Sequence, residues 1–175
     1  SDGSLTPDLG NNVYNLLLNY QPGVYVNQRN NLKVNVNPYV EIRPLKGLTF
    51  TSRAGIWMNY NNTYNFDGIG SVAYVYTNAG VAKARIRQNR GYGYQWDNIL
   101  TYNFTVRDDH DFTVTGVSTW KYDQNQKTTM DQSGITSNNF KWHNMKGDTN
   151  TTATSEYNMS KTLGLIGSRN YSYQG

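Results

Sequence analysis

Leu32-Lys33-Val34-Asn35-Val36-Asn37-Pro38-Tyr39-Val40-Glu41-Ile42 sets the apolar residues at even positions and the polar ones, with Tyr39, at odd positions. After the tight Pro44-Leu45-Lys46-Gly47 turn the alternation resumes. Leu48, Phe50, Ser52, Ala54, Ile56, Met58 and Tyr60 are even; Thr49, Thr51, Arg53, Gly55, Trp57 and Asn59 are odd. A period of two puts each set on one face of a sheet. The even face is apolar, and aromatic at its ends. The odd face is polar and charged. In water, a sheet covers its apolar face with another layer. In a membrane barrel that face meets lipid, and the polar face lines the lumen.

Outward from this hairpin the chain reads as an all-β antiparallel meander of about five long strands. They are expected over residues 31–43, 47–61, 83–106, 111–124 and 161–174. In the third, Tyr94, Trp96, Leu100, Tyr102, Phe104 and Val106 form the apolar face, broken by Asn98. In the fourth, Phe112, Val114, Trp120 and Tyr122 do so. Residues 1–30 are an irregular lead-in punctuated by Gly3, Pro7, Gly10, Pro22 and Gly23, with 13–20 open to a short helix or a strand. Residues 31–175 form the meander. Its connections alternate: a tight turn at 44–47, a polar stretch over 62–82, a turn at 107–110, a polar stretch over 125–160. Short turns on one side and long loops on the other are what outer-membrane barrels show. Tyr60, Tyr94, Trp96, Trp120 and Tyr122 then form an interfacial girdle. The competing reading of these aromatics is ordinary cross-strand pairing in a soluble sheet.

Composition agrees. Hydrophobic residues are 37% of 175, lean for a conventional core, while aromatics reach 14%. No apolar run approaches the ~20 residues a transmembrane helix needs. Without an initiator Met or a signal peptide, the chain reads as mature, trimmed or cut from something larger. It has no cysteine, hence no disulfide framework and no cysteine-ligated metal. The net charge is +4, and the one basic run is Lys83, Arg85, Arg87, Arg90. Its alternation marks one face of a strand entering a pore or loop, so no nucleic-acid partner is expected.

Signals for catalysis are sparse. His110 lies beside Asp108, Asp109 and Asp111, but one histidine with flexible carboxylates lacks a ligand spacing and reads as a solvated turn. No nucleophile elbow is present, and Gly68-Ile69-Gly70 and Gly91-Tyr92-Gly93 lack the context of phosphate loops. Neither an enzyme nor a cofactor is expected. Ligand binding fits better. Tyr39 and Trp57 on the polar face, with Tyr64, Phe66, Tyr74, Tyr76, Phe140 and Trp142 in the loops, offer flat apolar plates among hydrogen-bonding neighbours. That combination suits a sugar or a peptide. Packing of the loops accounts equally well for any one of these rings.

Four segments carry a family resemblance. Residues Tyr39 to Phe50 resemble the "YLEYKPIKGLTF" hairpin of SusC/RagA-type TonB-dependent outer-membrane receptors. Trp96 to Tyr102 is similar to that family's "WENTLTY" strand, Asp109 to Gly116 to its "KHNFNVLAG" segment, and Ile166 to Tyr173 to "IGRLNYSY". The matches keep the family's order over most of 31–175. Ser168-Arg169 departs from it, turning Arg169 outward with Tyr171 and Tyr173 and leaving the register of the last strand open. The resemblance implies a slice of a large barrel of about 22 strands, in a bacterial outer membrane, importing oligosaccharides or peptides. It implies a SusD-like surface lipoprotein and the TonB complex as partners. Five strands do not close a barrel, so the piece by itself is expected to form an open sheet or to associate. The rival class is a soluble all-β glycan-binding or adhesin module, which needs a layer covering its even-numbered face.

Overall fold

Alternating β-branched, aromatic and polar residues favour strands over helices, and the computed structural model is almost all β. The structure describes residues 5, 14–107, 109–145 and 150–173. A 3-10 turn, Leu16–Tyr20, precedes β1 (Tyr25–Val36), β2 (Tyr39–Leu45) and β3 (Leu48–Asp67). A short helix, α1 (Val72–Tyr76), then leads to β4 (Lys83–Val106), β5 (His110–Ser133) and β6 (Thr151–Tyr173). The antiparallel sheet runs β1-β3-β4-β5-β6, with β2 also paired to β3. Its path ends at β1 and β6, so the sheet is open, as expected for a slice of a barrel.

The strands differ from expectation in extent. The strand expected over 31–43 is two, β1 and β2. Pro38 between them has no N–H to give to a ladder, although its carbonyl still accepts from Ala54 N at 2.9 Å. β1 begins at Tyr25, within the expected lead-in; residues 1–4 and 6–13 of that segment lie outside the described set. β3 continues past 61 to Asp67, and β5 past 124 to Ser133. β6 starts at Thr151 rather than 161. These extensions are mostly polar, with apolar residues only at scattered positions such as Tyr64, Phe66, Met130, Tyr157 and Met159, so their alternation is weak. Ladder hydrogen bonds need only backbone. The long connections shrink to 68–82 and 134–150.

In the β2–β3 hairpin, Val40 faces Ser52 and Ile42 faces Phe50, while Tyr39 faces Arg53 and Glu41 faces Thr51. Even and odd sets therefore keep to separate faces. The register slips between Ile42 and Leu45, where Pro44 lies. Gly47 closes the turn at φ 82°. It sits against the backbone of Asn103, whose N–H donates to the Gly47 carbonyl at 2.8 Å. A Cβ at Gly47 would lie 2.1 Å from the Asn103 carbonyl oxygen, so only glycine fits.

The chain divides into two compact units. The first comprises Ser1–Leu32, Tyr60–Arg90 and Gln126–Glu156; the second Lys33–Asn59, Gly91–Asn125 and Tyr157–Gly175. The first has a conventional core of Leu18, Val24, Phe66, Ala82 and Ala84. The buried Ser71 caps α1, its Oγ accepting from Tyr74 N at 3.1 Å. Asn19 Oδ1 accepts from Val72 N at 2.9 Å, tying the 3-10 turn to α1. Asn138 clamps the Ile69 backbone from both sides, accepting from its N–H at 2.8 Å and donating to its carbonyl at 2.9 Å.

The second unit inverts the usual pattern. Among its described residues only Gly93 and Asp97 are buried, while Val34, Val40, Ile56, Leu100, Val114 and Leu163 are exposed. Its rings form two groups on the even face of β4 and β5. One is Tyr92, Tyr94 and Tyr122, with centroids 5.7 and 5.9 Å apart. The other chains Tyr102, Phe104, Phe112 and Tyr171 at 5.1 to 5.2 Å. Tyr171 and Tyr173 also flank His110, whose Nδ1 lies 2.7 Å from the Tyr171 hydroxyl. On β6 the odd residues share this face: Lys161 sits 6.0 Å from the Tyr122 ring, whereas Gly164 faces Thr119. The alternation thus assigns Arg169 to the apolar face, beside Tyr171, and resolves the register left open by the sequence.

Candidate functional site

Within the second unit a cleft of about 610 Å³ opens on the odd-numbered face, with Tyr39, Glu41, Arg53, Trp57, Gln95 and Asp97 among its walls. Two of the sequence-derived candidates, Tyr39 and Trp57, line it. Tyr39 is 72% exposed. Trp57 lies flat over Gly93, where a Cβ would come within 2.5 Å of the indole. The lack of a side chain at 93 is what lets the ring lie down. The Lys121 ammonium is 6.0 Å from the Trp57 ring, within cation–π range.

The floor is Asp97, only 5% exposed. Its carboxylate accepts from Arg53 Nε at 3.0 Å, Thr119 Oγ1 at 2.8 Å, and Gln95 Nε2 at 3.1 and 3.2 Å. A buried carboxylate persists only when paired and hydrogen-bonded in this way. The arrangement fixes the root of Arg53, whose side chain is 60% exposed. Glu41 forms an exposed pair with Arg43 at 2.8 Å. The cleft therefore offers an indole face and a phenol for stacking, a held guanidinium, a carboxylate and amides for the edges of a ligand. It contains no nucleophile–base pair within hydrogen-bond reach.

The other candidates belong to the first unit and do not converge. Tyr64 stacks on Trp142 at 5.3 Å, and Trp142 also touches His143 at 5.3 Å. Tyr76 packs on Tyr14 at 4.2 Å. Tyr74 is half-buried; Phe140 is 56% exposed. Phe66 is fully buried in the core and presents no surface to a ligand. Of the His110 group, Asp108 lies outside the described residues. Among the described residues no three histidines or carboxylates gather as a metal site.

Sequence reasoning missed Gly93, Gln95 and Thr119 as parts of this site. Arg53 and Asp97 were legible as members of the polar face, but not as partners.

No family model and no curated protein matches the chain. Solved structures do. The chain is similar to a chain of the RagAB peptide transporter, with a TM-score of 0.73 and 19% identity over 86% of its length. It is similar to chains of the RagAB peptide importer in the "closed-closed" and "open-open" states, each with a TM-score of 0.75 and 18% identity. It spans 16% of the length of each of these chains. At such identity the likeness is one of fold.

Proposed function

We propose that this chain is a stretch of the wall of an outer-membrane β-barrel transporter that imports a nutrient, an oligosaccharide or a peptide. The inverted burial of the second unit carries the reading. Its apolar side chains stand exposed on one face, while its one buried ionisable group, Asp97, belongs to the polar face. Lipid is the environment in which that arrangement is stable. The ring clusters support the same reading. Tyr122 and Phe112 lie ten residues apart on β5. At ~3.4 Å per residue and a tilt of ~40° this gives about 26 Å, the height of the apolar band of a barrel.

Likeness of fold to the peptide transporter supports a transport role. The aromatic and charged cleft of Tyr39, Trp57 and Arg53 supplies a surface for the cargo. Energy would come through TonB, and a SusD-like lipoprotein would cover the extracellular loops. The exposed apolar face weighs against a soluble adhesin, which has to cover it. Deleting the gene and following uptake of defined peptides and glycans tests the reading: one class of cargo should no longer enter. Unchanged uptake of every peptide and glycan, or a monodisperse, cooperatively melting monomer without detergent, would overturn it.

A further inference from the structure

The basic run at 83–87 is not absorbed by the aromatic cleft. In the first unit, Lys83, Arg85 and Arg87 take alternate positions of β4 and line a second cleft of about 680 Å³. Two carboxylates share it, Asp67 and Asp131. Asp131 is engaged by Arg85, whose Nε donates to it. Asp67 feels both Lys83 and Arg85, and its partial burial opposes ionisation. Arg87 has no ion-pair partner among the described residues. Three cations thus face two carboxylates, and one positive charge is left over. The rest of the wall is polar, including Asn65, Asn78, Gln132 and Ser133. Asn78 Nδ2 and Gln132 Oε1 are buried and find no hydrogen-bond partner among the described residues.

From this juxtaposition we infer that the cleft is a subsite for a single carboxylate of the cargo, with Arg87 as its principal anchor. A surplus of one cation matches a monoanion, not a phosphate dianion. The planar guanidinium presents two parallel N–H groups to the two carboxylate oxygens. The desolvation felt by Asp67 means that charges here are screened less than at an open surface, which strengthens their pull on an anion. Polar walls without aromatic plates suit a charged end group. The inference rests on the transport reading and deepens it: acidic cargo is preferred. The carboxylate belongs either to an acidic peptide or to a sugar acid.

Binding is measured by calorimetry on the full-length gene product in detergent. The probes are a glutamate-containing oligopeptide, its glutamine analogue, an oligogalacturonate and a neutral oligosaccharide of equal length. The native protein should bind the acidic member of one pair about tenfold more tightly, the scale of one charge-assisted hydrogen-bonded pair. Added salt should narrow the gap. Arg87→Gln should abolish the preference, weakening the acidic probe about tenfold and the neutral one far less. Asp131→Asn should release Arg85 and tighten the acidic probe severalfold, a gain that misfolding does not mimic. The pair that responds identifies the source as peptide or sugar. Equal binding of acidic and neutral probes by the native protein would overturn the inference, as would equal weakening of both by Arg87→Gln. In either case retained binding of neutral cargo would leave the transport reading standing.

Discussion

Leu100 lies on the apolar face of β4 between the two ring groups, six residues from Tyr94 and four from Phe104. At ~3.4 Å per residue and a tilt of ~40°, it sits about 15 Å from Tyr94 and about 10 Å from Phe104, with Tyr102 about 5 Å away, inside the apolar band. Leu100→Lys places an ammonium there at a cost of about 2–4 kcal/mol, which lowers the folded-to-unfolded ratio by roughly thirtyfold to several hundredfold. Ile56 shares the face but not the depth. Arg53 reaches Asp97 and Trp57 covers Gly93, so Ile56 stands level with Tyr94 at the belt. Ile56→Lys should cost about 0–1 kcal/mol, as expected near an interface. Thr51→Lys serves as the polar-face control; it lies opposite Glu41 and gains a cross-strand partner. The assay is urea unfolding of the full-length gene product refolded into vesicles, with heat-modifiability on gels as the readout of assembly. The order of damage should be Leu100→Lys, then Ile56→Lys, then Thr51→Lys. Equal damage at Leu100 and Ile56 would refute the depth assignment. Greater damage at Thr51 than at Leu100 would refute the facing itself.

Three further outcomes are expected. Asp97→Ala strands Arg53, Thr119 and Gln95 and should lower the urea midpoint by the equivalent of about 1–3 kcal/mol; an unchanged midpoint would show that the floor of the cleft is not held by this carboxylate. Gly93→Val drives a side chain into the indole of Trp57 and against the Tyr122 carbonyl, and should cost about 1–3 kcal/mol while changing tryptophan fluorescence; an unaltered spectrum would contradict the flat seating of the ring. Burial raises the Asp67 carboxyl above its usual 3.8, with Lys83 and Arg85 pulling it back. The folded state therefore holds this proton more tightly than the unfolded one. Its contribution is present below 3.8 and is lost as pH rises through the elevated folded value. Asp67→Asn should flatten that acid-side slope in the unfolding midpoint, and an identical slope in the variant would remove Asp67 as its source.

The alternation over 32–60 and 94–122 was enough to read the all-β class, the two faces and the tight turns. It failed where apolar residues are few. Residues 125–133 and 151–160 look like loop because asparagine, threonine, serine and glutamine outnumber Met130 in the first and Ala153, Tyr157 and Met159 in the second, yet they continue β5 and β6. Pro38 keeps its place in the even-numbered set and leaves no mark on the alternation, although a residue without an N–H interrupts a ladder. In the cleft, Tyr39 and Trp57 were visible as rings on the polar face. The Arg53–Asp97 pair spans 44 positions, and no local pattern joins such residues. Gly93 looked like an empty glycine motif, since the ring that needs its vacancy is supplied by another strand. Phe66 was visible as aromatic but not as core, because its burial is set by neighbours distant in the chain, which no local pattern names.

The exposed apolar face also has a bearing on how the chain comes to be folded. Collapse in water is driven by removing apolar surface, and the second unit hides almost none of its own. Its ladders alone offer little net gain over hydrogen bonds to solvent. In an aqueous compartment this half of the chain has every reason to stay unstructured or to aggregate, and on the proposed transport reading strand pairing and entry into lipid become a single coupled event. The first unit differs: Phe66, Leu18 and Val24 give it a nucleus that water itself can assemble. On that same reading, a helper that keeps the strands of the second unit apart until they reach a bilayer is what the residues this sheet leaves uncovered call for.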